Sequence, residues 1–483
     1  MVLTSVSELR HLAYESSCSP SFRLLDLPGS VRDNGGTNKN KTASCMSTDK
    51  FRFPTVTAVV IANMVGTGVF TSLGFQLLDI QSGFVILLLW VMGGLIAVSG
   101  AMTYAELGAA FPRSGGEYNF LSKIYHPAVG FVAGWTSVTI GFAGPSALAA
   151  MTFAAYATSI FDVAPSAWLE RGLAVGLVTV LTIVHAGRRR NSGSVQVVFT
   201  TLKIVVIAGF CLAAILLTDE PQPVRFLPAD GDSTLLTSSA FAVSLIYVSY
   251  AYTGWNAATY LSSELENPQR TLPGILLTGT LVVTILYVAL NFVFLYAAPV
   301  DELRGQVEVG LIAAKAAFGE VGGRFTGLVL AMLLISTVSA MLMAGPRVLQ
   351  VMGQDFHALR VSARINRDGI PSTAIYIQSA LAVVFILTSS FESVLLFAGF
   401  TLALNSFVTV LGVFVLRWRQ PDLDRPYRTF LYPLPPLIYL ALMGWTLWFV
   451  LMNRPVEGLF GLGVIVSGLV VYLLLRYRGG AVS

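Results

Sequence analysis

Apolar runs separated by short polar joints recur along almost the whole chain, and the length of the runs carries more information than their periodicity. A helix needs about 20 mostly apolar residues to cross the hydrocarbon core of a bilayer. Runs of that kind fall at 54–78, 82–110, 128–160, 168–186, 194–217, 235–261, 273–298, 322–346, 372–389, 391–416, 432–452 and 456–475. The pattern predicts an all-α integral membrane protein with 12 transmembrane helices, plus an amphipathic stretch at 307–318 lying on the surface.

The first fifty residues depart from this pattern. They are rich in Ser, Asn, Asp and Gly and hold no apolar run long enough for a signal sequence, so 1–50 reads as a disordered cytoplasmic extension before one membrane domain, 51–478. Met46, just ahead of Lys50 and Arg52, offers an alternative start of translation. The sequon at Asn40-Lys41-Thr42 carries no weight on a cytosolic tail.

With both termini inside, the inner loops collect Arg113, Lys123, Arg188-Arg189-Arg190, Arg270, Arg360, Arg364, Arg367, Arg417, Arg419, Arg425 and Arg428, while few basic residues fall outside. The positive-inside rule then predicts a multi-pass protein of the cell membrane with both termini cytoplasmic. Composition agrees: 55% of the 483 residues are hydrophobic, 12% are charged, and mean hydropathy is +0.72. The net charge of +4 follows from the basic loops and calls for no nucleic acid. Cys18, Cys45 and Cys211, and His11, His126, His185 and His357, form no CxxC, HxxxH or HExxH spacing, so neither metal nor other cofactor is expected. No convergent His, Asp or Ser-His arrangement sits inside the spans, which speaks against an enzyme.

Two runs are interrupted near mid-span. ANMVGTGVF, Ala62 to Phe70, puts Gly66-Thr67-Gly68 into the first, and YAYTGWN, Tyr250 to Asn256, puts Thr253-Gly254 into the sixth. Segments five apart with matching interruptions are what an inverted five-helix repeat brings face to face, and unwound backbone is tolerated at membrane depth only where it lines a cavity. A break exposes N–H groups at the start of one half-helix, which suit a carboxylate, and carbonyls at the end of the other, which suit an ammonium. Together they read as an amino-acid site. Close helix packing explains either glycine pair alone but not their matched positions.

GTGVF, FPRSGGEY (Phe111 to Tyr118), GWN with ENPQRTLP (Glu266 to Pro273), and RPYR at 425–428 together resemble the amino acid-polyamine-organocation superfamily, and within it the L-amino-acid transporter-like bacterial permeases. The resemblance covers about 52–475 and implies a LeuT-type 5+5 inverted repeat, 54–217 and 235–416, with extra helices 432–452 and 456–475 and helices 1 and 6 unwound at mid-membrane. It implies that Gly66, Thr67 and Gly68 offer amides and a hydroxyl to the substrate carboxylate. Carbonyls near Asn63, Met64 and Tyr250 would receive its ammonium, with Thr253, Gly254 and Asn256 also at the substrate and Tyr250 as aromatic gate. Many relatives carry Phe at that gate, followed by Ala-Tyr-Gly-Gly-Trp-Asn; Tyr250 and Thr253 are departures.

Lys203 is the one basic residue well inside a run, nine residues past Ser194, or about 13 Å along a helix. An intramembrane lysine is a functional candidate by default. The resemblance puts it where a sodium ion sits in sodium-coupled relatives, implying sodium-independent transport by exchange or proton coupling. No Asp or Glu lies deep in segments one, three, six, eight or ten, since Glu106, Glu264 and Glu392 fall near predicted ends. Burying an unpaired side-chain ammonium is costly, so a neutral zwitterion is favoured, with a cationic amino acid or polyamine permease as the alternative. Glu106 and Arg113 are candidates for closing the cytoplasmic side, or simply solvated terminal charges, and Pro145 predicts a kink in the third helix. The sequence thus points to a secondary active transporter of amino acids working by alternating access, whose partners are a small-molecule substrate, the lipid bilayer and protons; no partner subunit is legible. A channel would need a continuous polar file that is absent, and an amino-acid sensor would share the same site.

Overall fold

The computed structural model describes residues 50–160, 166–187, 192–367 and 369–477. The expected disordered extension up to Asp49, with Met46 and the sequon, and the Arg188 to Arg190 cluster lie outside them.

The chain is helical throughout these residues. The first apolar run forms α1 (Phe53–Met64) and α2 (Thr67–Gln76). There follow α3 (Gly83–Ala110), α4 (Glu117–Ile124), α5 (Pro127–Thr136), α6 (Ala143–Ile160), α7 (Ala167–Gly187), α8 (Ser192–Leu217) and α9 (Ser239–Ala251). The second half holds α10 (Pro268–Ala297), α11 (Val309–Ala344), α12 (Pro346–Asp355), α13 (Ser372–Thr388), α14 (Phe391–Arg419), α15 (Leu434–Asn453) and α16 (Pro455–Tyr477). Among the described residues, 10 helical stretches are long and apolar enough to cross a membrane, and α9 and α13 are shorter apolar helices.

Burial separates centre from periphery. Val56 to Gly74 is buried throughout among other helices, whereas α7 and α8 turn Val180, Ile183, Val184, Val205 and Leu212 outward, as helices facing lipid do. Small residues bring the inner helices together: a Cβ on Gly94 of α3 would meet Thr284 Cγ2 of α10 at 2.3 Å, and one on Gly279 of α10 would meet Val60 Cγ1 of α1 at 2.7 Å. Ahead of α1, Phe51 pairs with the segment leaving the sixth run, its N–H donating to Glu264 O at 2.7 Å and its carbonyl accepting from Glu266 N at 2.9 Å.

Three expectations are corrected. The stretch 307–318 does not lie on the surface: it becomes the first limb of α11, which bends at Gly319 (φ 69°), and Val309, Leu311, Ala313 and Ala314 are buried. The helix α4 was not foreseen; Gly115 (φ 111°) and Gly116 (φ 52°) turn the chain into it through backbone angles that side-chain-bearing residues rarely adopt. Glu106, expected near a solvated end, is fully buried and is bound by Arg417 through two bonds of 2.9 and 2.7 Å. The irregularity expected at Pro145 is present one turn earlier, as a π-helical segment Ser137–Phe142 that ends just before α6. A proline ring obstructs the carbonyl four residues back, which here is Gly141 in that segment.

Candidate functional site

The first interruption is short. α1 closes at Met64, Val65 and Gly66 leave helical geometry (Gly66 φ −129°, ψ −149°), and α2 starts at Thr67. The carbonyls that the break frees are taken by side chains from other helices. Val65 O accepts from Lys203 Nζ of α8 at 2.8 Å and from Thr337 Oγ1 of α11 at 3.1 Å, and Lys203 also donates to Thr337 at 3.0 Å. Met64 O accepts from the Tyr287 hydroxyl of α10 at 2.5 Å, and that hydroxyl lies 3.0 Å from Ala251 O at the end of α9. Lys203 is wholly buried, as expected for a lysine far inside a run. At the opposite side of the break, α2 opens on Gly66, which has no side chain to cap the first-turn amides.

The second interruption is longer. α9 stops at Ala251, five residues turn through Gly254 (φ 106°), and a 3-10 helix runs over Ala257–Glu264. Here the bonds are mostly local, such as Thr253 N to Tyr250 O at 2.8 Å and Ala257 N to Gly254 O at 2.9 Å. The two breaks touch: a Cβ on Gly68 would lie 2.5 Å from Ala251 Cα, and one on Gly254 would lie 2.8 Å from the carbonyl carbon of Asn63. Close packing therefore accounts for Gly68 as well as any ligand does. Tyr252 packs against both Trp90 and Tyr287, its hydroxyl donating to Trp90 O at 3.0 Å, and it borders the larger of two nearby cavities.

Two cavities flank the meeting point. The smaller is bordered by Asn63, Met64, Gly66, Thr67, Gly68, Tyr250, Thr253 and Thr337, with Pro145 at its edge. The larger, about 60 Å³, shares Asn63, Thr253 and Met341 with it and continues past Gly254 and Asn256 to Ser406 and Glu117. All nine residues expected at the substrate thus line one cavity or the other. Asn63 keeps its Oδ1 without a hydrogen-bond partner although the residue is buried. Lys203 stands behind the first break rather than in either lining.

Glu106 is not part of this assembly. It sits at the arginine-rich end with Arg417, the Thr429 N–H at 2.8 Å and Arg425 Nε at 3.6 Å. Arg113 pairs instead with Asp355 at 2.7 Å, a hydrogen bond that raises the guanidinium's pKa above its ordinary value, and Arg347 pairs with Glu264 at 3.1 Å.

The sequence reading missed Glu117, the first residue of α4. It is 2% exposed, and its carboxylate accepts from Tyr104, Asn405, Ser406 (3.0 Å), Asn256 (3.3 Å) and Tyr260 (3.5 Å). The available signal was the spacing of Tyr118, Leu121 and Ile124, an apolar stripe that makes EYNFLSKI a packed amphipathic turn rather than a loop.

Residues 51–473 match a family model described as amino acid permease. The b(0,+)-type amino acid transporter 1 of Mus musculus is 27% identical over 430 residues, 87% of this chain and 86% of that protein. The large neutral amino acids transporter small subunit 2 of Homo sapiens is 29% identical over 425 residues, 87% of this chain and 79% of that protein. The Asc-type amino acid transporter 1 of Mus musculus is 28% identical over 425 residues, 86% of this chain and 79% of that protein.

Proposed function

The chain belongs to the amino acid permease family, and on that premise we propose that it is a sodium-independent secondary transporter, exchanging amino acids across a membrane by alternating access. The observation that carries this is the glycine-opened start of α2 beside the second break, with one cavity lined by both. The α2 amides suit the substrate carboxylate, and Asn63 Oδ1 with nearby carbonyls suits the ammonium. Every amino acid carries those two groups, so this part of the site reads the class, and relatives named for neutral substrates fit it.

In this reading α1 with α2, and α9 with its 3-10 extension, are the unwound helices 1 and 6 of a twelve-helix protein. α9 and α13 are the two short members of the set, and α15 and α16 follow the repeats. The arginine-rich end faces the cytoplasm, as the positive-inside rule requires. Lys203 supplies to the first break the positive charge that a sodium ion would otherwise give, which supports sodium independence. Tyr250 is the gate beside Thr67 and Gly68. Glu106, held by arginines, anchors α3 to α14 at the cytoplasmic side, while Arg113–Asp355 and Arg347–Glu264 bridge elements that must part for inward opening.

Counterflow in proteoliposomes tests the proposal. Vesicles loaded with unlabelled leucine should accumulate labelled leucine transiently, without sodium and without consuming it. Downhill leakage with no overshoot would indicate a channel, and binding without flux a sensor.

A further inference from the structure

Among the described residues, Glu117 is a buried acid without a basic partner. All five groups that reach its carboxylate are neutral donors: the hydroxyls of Tyr104, Tyr260 and Ser406 and the amides of Asn256 and Asn405. The titratable groups facing it are Tyr104 of α3, Tyr260 of the 3-10 helix and Tyr439 of α15, and among the described residues no Lys, Arg or His is ion-paired with it. Five donors around a carboxyl favour its ionised form, and burial opposes it. A buried carboxylate with no cation is unfavourable, and the deficit is relieved when a cation enters the space beside it.

That space is the larger cavity. It shares Asn63, Thr253 and Met341 with the smaller one, and its lining includes the small and apolar residues Gly93, Ile96, Ala97 and Gly141 as well as Glu117. Its lining, apolar at Ile96, Ala97 and Met443 and acidic at Glu117, suits a side chain with an aliphatic stem and a cationic end. Resting on the transporter reading above, which assigns the substrate's main-chain groups to the smaller cavity, we infer that Glu117 is a specificity-determining residue that admits amino acids whose long side chain ends in an ammonium or guanidinium. Side chains of the same length with no charge enter the same space but leave the carboxylate uncompensated. The absence of an acid from the spans themselves, which favoured neutral substrates on sequence grounds, is thereby offset by an acid brought in from α4.

Lysine and norleucine, which share a four-carbon stem and differ in the terminal amine, are the probes. In proteoliposomes, wild type should exchange both. Glu117→Gln should lower the ratio of lysine to norleucine exchange by about tenfold or more, because the charge is lost while the shape stays. Glu117→Asp should restore that ratio to within about threefold of wild type, as charge rather than exact reach decides it. A merely structural role would lower both fluxes together and leave the ratio where it was, which would overturn the inference. So would a wild type that exchanges norleucine but not lysine, a result that needs no variant to fold. A wild type that exchanges neither would instead overturn the transporter reading.

Discussion

The two interrupted helices begin from similar sequence signals, a glycine beside a threonine within an apolar run, yet they satisfy their backbones in different ways. At the first, the freed carbonyls are bound by Lys203, Thr337 and Tyr287, each from another helix. At the second, Tyr250 O and Gly254 O are bound by N–H groups three residues on. A short break leaves acceptors that only distant side chains can reach, while a longer one folds back and closes its own turns. The first break therefore depends on its neighbours, and the second depends mainly on itself.

The comparison makes graded predictions. The largest effect is expected from Gly68→Val, whose side chain would intrude on Ala251 Cα, 2.5 Å from the ideal Cβ position, at the point where both breaks meet. Counterflow per inserted molecule should be abolished, and normal flux would mean that the breaks separate more easily than their packing implies. Next comes Lys203→Ala, which takes a charged donor from Val65 O and should reduce flux about tenfold or more, a loss of roughly 1.4 kcal/mol or greater. Wild-type flux should be the same with and without sodium, and a sodium requirement would reject the role given to this lysine.

A smaller effect separates the tyrosines of the second break. Tyr250→Ala should reduce flux per folded molecule several-fold, whereas Tyr252→Ala, which empties a site against Trp90 and Tyr287, should change flux per folded molecule little; both are buried, so both should lower the melting temperature in detergent. Equal losses of flux per folded molecule would erase that distinction. The smallest change is Tyr287→Phe, which removes only the hydroxyl that joins the two breaks at Met64 O and Ala251 O. Burial without the donor should lower stability by about 1–3 kcal/mol, read as a shift of the unfolding midpoint.

What the sequence disclosed was local. Helix ends such as Ala110, Leu217 and Thr388 fall within a residue or two of where the apolar runs stop, and both interruptions lie where the glycines put them. What it hid was long-range. Glu117 meets Asn405, 288 residues later, only because two left-handed glycines aim α4 into the protein. Glu106 meets Arg417 across 311 residues, and no spacing rule connects them. Glu106 lay near the end of a predicted run and Glu117 between two runs, and hydropathy measures the distance to a run's end and not the packing of other helices around it.

The pairing of Phe51 with Glu264 and Glu266 has a mechanical consequence. It fastens the entry to α1 to the exit of the second interruption, so the two broken helices share a hinge pin at one extremity as well as the contact at Gly68. Tilting one without the other would break these two bonds, so they tie the pair into a single lever. A chain started at Met46 would retain this pin, and a tag joined ahead of Lys50 would leave it free to work. A flexible insert between Phe51 and Phe53 would instead uncouple the lever from its pin while leaving every cavity residue in place.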